Sequence, residues 1–241
     1  MSQLKNILKN GQYMAKNLQP KFNRLDKIPK TVLNEINVYK KHVNHIPAII
    51  NGNEFNTFSY NHIVSPFDNK YLICKNHDLS KDYLINSLNN YQEYKKNWNQ
   101  YPIEERMEIF LNAADLLENK YYNKMLAATI YNQNKTVYEA EIDSICELVD
   151  FLRFNVYYCQ EILKKQPISD IDGIKNISQY KPLNGFVCSI TPFNFTAIGG
   201  NLATLPILFG NVVYWKPSEK SLLSNQLFYN ILKEAGLPDG V

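Results

Sequence analysis

The sequence has no C-x-x-C pair. Its four cysteines, Cys74, Cys146, Cys159 and Cys188, are scattered, and Cys146 and Cys159 fall in a stretch expected to be helical. Such thiols read as reduced and buried rather than as disulfides or metal ligands. The four histidines (His42, His45, His62, His77) all lie in the first third, without a second cluster of ligand types, so no metal site is assigned. No G-x-G-x-x-G occurs, so the usual dinucleotide fingerprint is missing. No apolar run approaches the roughly 20 residues that a membrane-spanning helix needs. The net charge of +3 is too small and dispersed to argue for nucleic acid. Arginine is scarce beside Asn, Lys, Tyr and Ile, a bias that points to genome composition rather than to function. Acidic residues are missing before Asp26, while Lys5, Lys9, Lys16, Lys21 and Arg24 are present. With Leu4, Ile7 and Leu8 at helical spacing, this start reads either as a basic tail or as a mitochondrial presequence over residues 1–27. There is no internal repeat and no low-complexity linker.

What is present suffices for one large domain or two small ones: 241 residues, 45% hydrophobic and 13% aromatic. The most informative stretch is Gly185 to Glu219, GFVCSITPFNFTAIGGNLATLPILFGNVVYWKPSE. Phe186 to Ile190 and Asn211 to Trp215 are short, nearly all-apolar runs, expected to be parallel strands covered on both faces. Cys188 would then be shielded. Ligands of such sheets collect where strands end and helices begin. Those places carry Thr191-Pro192-Phe193-Asn194 and Lys216-Pro217-Ser218-Glu219: an uncharged amide at one strand end, and a lysine with a nearby carboxylate at the other.

TPFNF followed by WKPSE resembles the aldehyde dehydrogenase superfamily. PFNFTAIGGNL, GNVVYWKPS and EAGLP, with NKTVYEAEIDSICELVDFLRFN (Asn134 to Asn155) and VSPFDN (Val64 to Asn69), are similar to its L-glutamate γ-semialdehyde (Δ1-pyrroline-5-carboxylate) branch. The similarity runs from about Ile46 onward. It implies NAD-dependent oxidation of L-glutamate γ-semialdehyde to L-glutamate in proline catabolism, in the mitochondrial matrix of eukaryotes. It also implies a homodimer or higher oligomer. The implied nucleophile and base lie beyond residue 241, so the chain alone is expected to be inactive and none of its cysteines is given the nucleophile's role.

The resemblance assigns roles residue by residue. Asn194 is the oxyanion donor: an amide N–H₂ donates without carrying charge. Its other reading is that it bonds its own turn. Thr191, Lys216, Ser218 and Glu219 form the expected NAD-binding set. A carboxylate accepting from ribose hydroxyls favours NAD over its 2′-phosphorylated form. Glu219 also reads simply as an acid complementing a helix start. Glu147 is the implied partner of the substrate's amino group; alternatively, Asp143, Glu147 and Asp150 form a solvated acidic row. Phe195 reads equally as a substrate-packing aromatic or as plain core.

The expected fold class is α/β, aldehyde dehydrogenase-like. A hairpin and helical part spans residues 28–165, with Asn51-Gly52 as a hairpin turn, Tyr71 to Lys75 as a strand, and helices over 28–41, 80–98, 102–119, 121–131 and 136–163. Residues 166–184 form an extended oligomerisation segment, with Ile174 to Lys181 as a possible strand. Residues 185–241 are the βαβα first half of an open parallel NAD-binding sheet, closing with a helix over 218–236 and Gly236 as its C-cap. The sheet's edge and apolar face would be left open, so the reading is of the N-terminal portion of a larger enzyme, with the catalytic domain absent. The competing readings are a non-catalytic fragment or subunit that binds a partner chain, and an aldehyde dehydrogenase of another substrate branch.

Overall fold

The computed structural model describes residues 13–168 and 171–241. The leader's Leu4, Ile7 and Leu8 therefore lie outside the described residues. From Tyr13 onward the segment is seated on the protein body. Backbone N–H groups of Tyr13, Leu18, Lys21 and Phe22 donate to the side chains of Gln160, Asp150 and, for the last two, Glu141. Tyr13, Leu18 and Phe22 pack against the core. Within the stretch read as a basic tail or presequence, residues 13–22 are thus held to the body, their backbone donors met by helix side chains.

Helix α1 (Lys30–Lys41) buries Val32 and Ile36, four residues apart on one face. Strands β2 (Ala48–Ile50) and β3 (Asn53–Phe55) form the expected hairpin. Asn51 and Gly52 both have positive φ, as the tight two-residue turn requires. Strand β5 (Leu72–His77) overlaps the strand predicted over Tyr71 to Lys75, shifted by one residue at its start and two at its end. It is the centre of a three-stranded sheet, parallel to β1 (Asn44–Ile46) and antiparallel to β4 (Tyr60–Val64). These two strands were not foreseen: they are short and polar on their exposed side, so their apolar alternation is weak.

The helix expected over 80–98 is two helices, α2 (Lys81–Ser87) and α3 (Tyr91–Asn99). Ser80 caps the first through Tyr83 N. Leu88, Asn89 and Asn90 then bond to carbonyls three residues back, which tightens and ends the helix. Helix α4 (Ile103–Asp115) runs into a π turn at Leu116–Lys120, followed by α5 (Tyr122–Gln133). The long helix starts at Thr136 with a capping box to Glu139. It proceeds as α6 (Val137–Glu141), a π turn (Ile142–Glu147) and α7 (Leu148–Lys164). Residues 166–184 contain no helix or strand among those described, so the strand proposed for Ile174 to Lys181 is absent. That stretch bonds instead through side chains, with Ser178 N donating to Gln166 and Tyr180 Oη donating to the Ile162 carbonyl.

Strands β6 (Val187–Ile190) and β7 (Val213–Lys216) pair in parallel, joined by α8 (Thr196–Leu208). A 3₁₀ turn (Glu219–Ser221) leads into α9 (Leu222–Glu234). Gly236 follows with φ +110°, and Leu237 N bonds back to Leu232 O, a glycine-closed helix end. Pro206 lies inside α8 and lacks the N–H that would bond the Leu202 carbonyl four residues back. Ser189 Oγ of β6 donates to that carbonyl at 2.9 Å, which ties strand to helix where proline breaks the ladder. Gly200 lets α8 approach α7 and α9: a Cβ there would lie 2.7 Å from Leu148 Cδ1 and 2.8 Å from Phe228 Cε1.

Strand β6 is covered on one face only, in keeping with a sheet whose apolar face is left open and against the expectation that Cys188 is shielded. Ile190 is 71% exposed and Cys188 is exposed. Alternate residues point to opposite faces, and only the face carrying buried Ser189 meets α8. Cys74, Cys146 and Cys159 are buried, and all four thiols are free.

Candidate functional site

The crevice lies at the carboxyl ends of β6 and β7. Ile190 pairs with Lys216 in the register, so the two strand ends stand side by side. Thr191 is buried. Its N–H donates to Lys216 O at 3.1 Å, and its hydroxyl accepts from Trp215 Nε1 at 3.2 Å. Ser218 caps the 3₁₀ turn, accepting from Lys220 N. Both hydroxyls therefore serve the local fold. The side chains of Lys216 and Glu219 are exposed and form no hydrogen bond or ion pair among the described residues.

Asn194 lies two residues before α8. It is exposed, and its side-chain amide has no hydrogen-bond partner among the described residues. The turn-bonding alternative is therefore not what the structure shows. The start of α8 is capped from elsewhere. Asp143, fully buried on the π turn of the long helix, accepts from Thr196 N at 3.0 Å and Ala197 N at 2.9 Å. A carboxylate at a helix N-terminus gains from both the orphan N–H groups and the dipole. Lys135 completes the arrangement. Its Nζ lies 2.5 Å from Asp143 Oδ2 and 2.6 Å from the Asn194 carbonyl oxygen, and 4.6 Å from the centre of the Phe195 ring.

The acidic row is consequently not a solvated face. The π turn shifts the helical register, and two of its three carboxylates are committed to backbone N–H groups: Asp143 as described, and Asp150 to Leu18. Glu147, half-buried, is the one without a hydrogen bond or ion pair among the described residues. Burial raises its carboxyl above the ordinary range, the Asp143 charge adds to this, and Lys135 opposes it. π turns occur often at functional sites, and this one carries both Asp143 and Glu147.

Burial pushes the thiols of Cys74 and Cys146 up to about 12 and that of Cys159 to about 11, so these three are not thiolates near neutral pH. Sequence reasoning missed Lys135 and the capping role of Asp143. Their only local signal is that Lys135 follows Asn134, whose left-handed conformation ends α5.

The family model described as the aldehyde dehydrogenase family matches residues 55–241. Over 196 residues the chain is 45% identical to the mitochondrial Δ1-pyrroline-5-carboxylate dehydrogenase of Dictyostelium discoideum, covering 81% of this chain and 35% of that protein. It is 43% identical to the human mitochondrial protein of that name, with the same coverage. The structure resembles that of the Mycobacterium tuberculosis Δ-pyrroline-5-carboxylate dehydrogenase bound with NAD and cobalamin. The TM-score is 0.88 at 38% identity, covering 94% of this chain and 43% of that one. The chain thus spans about a third of the length of the curated relatives it matches. With the parallel β6–β7 pair, the PFNF turn and the KPSE turn all inside the matched range, the chain belongs to the aldehyde dehydrogenase family.

Proposed function

We propose that this chain is part of an enzyme that oxidises L-glutamate γ-semialdehyde to L-glutamate with NAD. The observation that carries this reading is the Asn194 amide: it sits in the turn that follows a parallel strand, exposed, with no partner among the described residues. A donor left free in this way is available to the carbonyl oxygen of an aldehyde. It strengthens as that oxygen becomes an oxyanion, which is where stabilisation accelerates the reaction. Glu147 accepts from the substrate's ammonium group, a charge-assisted contact, and Phe195 packs the substrate's aliphatic chain.

The residues at the crevice fit NAD. Lys216 offers three N–H donors to ribose hydroxyls or a phosphate, and Glu219 accepts from ribose hydroxyls. Thr191 lines the nicotinamide side, while Ser218 shapes the turn that presents Glu219. When bound, NAD supplies the hydride acceptor. The thiol nucleophile and the water-activating base are not assigned to any residue of this chain.

The name of the structural relative bound with NAD, and the names of the mitochondrial relatives, support the cofactor, the substrate and a mitochondrial site of action. A homo-oligomer is supported by the segment 166–184, where Ile168, Ile171, Ile174, Ile177, Tyr180 and Leu183 are all exposed.

Steady-state kinetics of the full-length enzyme test the division of labour. Lys216→Ala raises the KM for NAD and leaves the KM for the aldehyde unchanged. A variant whose KM for NAD does not move places the cofactor elsewhere.

A further inference from the structure

Asp143 takes no part in the chemistry proposed above, yet it is a fully buried carboxylate with both oxygens engaged at the start of α8. Lys135 joins it to the turn through the Asn194 carbonyl and lies against the Phe195 ring. One ion pair therefore grips the backbone at residues 194, 196 and 197. An asparagine two residues before a free N–H ordinarily accepts from it, folding its side chain onto its own turn. Thr196 N is that N–H for Asn194, and Asp143 already occupies it at 3.0 Å.

We propose that Asp143 and Lys135 are positioning residues for the oxyanion amide: by capping α8 in place of Asn194, Asp143 keeps the Asn194 side chain unfolded from its turn, and Lys135 fixes the backbone that carries it. This rests on the reading of Asn194 as oxyanion donor. A carboxylate outcompetes a neutral amide for a backbone N–H at a helix N-terminus, because both the charge-assisted bond and the dipole favour it. The donor is then set before charge develops on the substrate, so no reorganisation is needed at the moment of reaction. Lys135 neutralises the buried carboxylate, which would otherwise stand uncompensated.

The full-length enzyme carrying Asp143→Asn, Asn194→Ala, both together, Lys135→Met or Lys135→Arg tests this. Asp143→Asn is expected to lower kcat about 10²-fold, the loss typical of a displaced catalytic group, with the KM for NAD unchanged. In the Asn194→Ala background the same substitution is expected to cost nothing further, since the donor it positions is already gone. Lys135→Met follows Asp143→Asn, and Lys135→Arg restores most of the rate. Melting temperatures and NAD affinity of each variant separate misfolding from mispositioning, and Lys135→Met, at a partly exposed position, supplies a second route if Asp143→Asn does not fold. Full additivity in the double variant, or wild-type kcat in both Asp143→Asn and Lys135→Met, overturns the positioning role while leaving Asn194 its own. Wild-type kcat in Asn194→Ala instead overturns the oxyanion assignment itself.

Discussion

Replacing Asn194 with alanine in the full-length enzyme is expected to lower kcat by roughly 10²–10³, the usual cost of deleting one oxyanion donor. The KM for NAD should hardly change. The alanine keeps the backbone of the turn, and the contacts that hold that turn come from Asp143 and Lys135 and do not involve the Asn194 side chain. Helix α8 therefore keeps its cap, and thermal stability should stay near that of the parent protein. The combination is diagnostic. A capping asparagine would show lost stability with kept rate; an oxyanion donor shows the reverse. A variant with near-normal kcat and a lowered melting temperature would return Asn194 to the role of a turn residue.

Glu147→Gln is expected to weaken the aldehyde substrate about 10- to 100-fold in kcat/KM, from the roughly 1.5–3 kcal/mol of a hydrogen bond to a charged group. The KM for NAD should not respond. A pH dependence accompanies this. Burial, reinforced by the Asp143 charge, raises the Glu147 carboxyl, so it takes up a proton at a higher pH than an ordinary glutamate. The carboxylate is the form that recognises an ammonium. Substrate affinity should therefore fall as pH drops through the raised pKa, and the fall should begin above the usual carboxylate range. In Glu147→Gln this limb disappears, because nothing remains to titrate. A limb that persists in the variant belongs to another group, and unchanged substrate kinetics would remove Glu147 from the substrate site.

The β6–α8–β7 unit was legible because two dense apolar runs flank a helix of fixed length, and the strand ends carry their own polar signatures. The Asn51-Gly52 hairpin and the Gly236 helix end were legible for a local reason: each needs positive φ, and the residue types say so. At β6 two expectations pulled apart, cover on both faces from the apolar run and an open face from the unfinished sheet, and the open face is what is found. An apolar run reports a preference for cover, and a strand shows that preference whether or not a second layer is present in the chain; hence Cys188 and Ile190 were expected inside and are found exposed. The acidic row was misjudged because its spacing assumed an unbroken α-helix, whereas a π turn spans Ile142–Glu147. The Lys135–Asp143–Thr196 contact joins residues up to 61 positions apart, from Lys135 to Thr196, and no periodicity in a single segment encodes it. Asn194 could be placed from its motif; that its amide is left free could only be seen once Asp143 was found capping the helix that follows.

The most direct test of the account is steady-state NADH formation by the full-length enzyme with L-glutamate γ-semialdehyde, compared with a simple aliphatic aldehyde of the same chain length without the ammonium and carboxylate groups. The account predicts turnover of the γ-semialdehyde with kcat/KM at least about tenfold higher, the discrimination a single charged recognition contact supplies. Equal kcat/KM for the two aldehydes, or no NADH from the γ-semialdehyde, would contradict it.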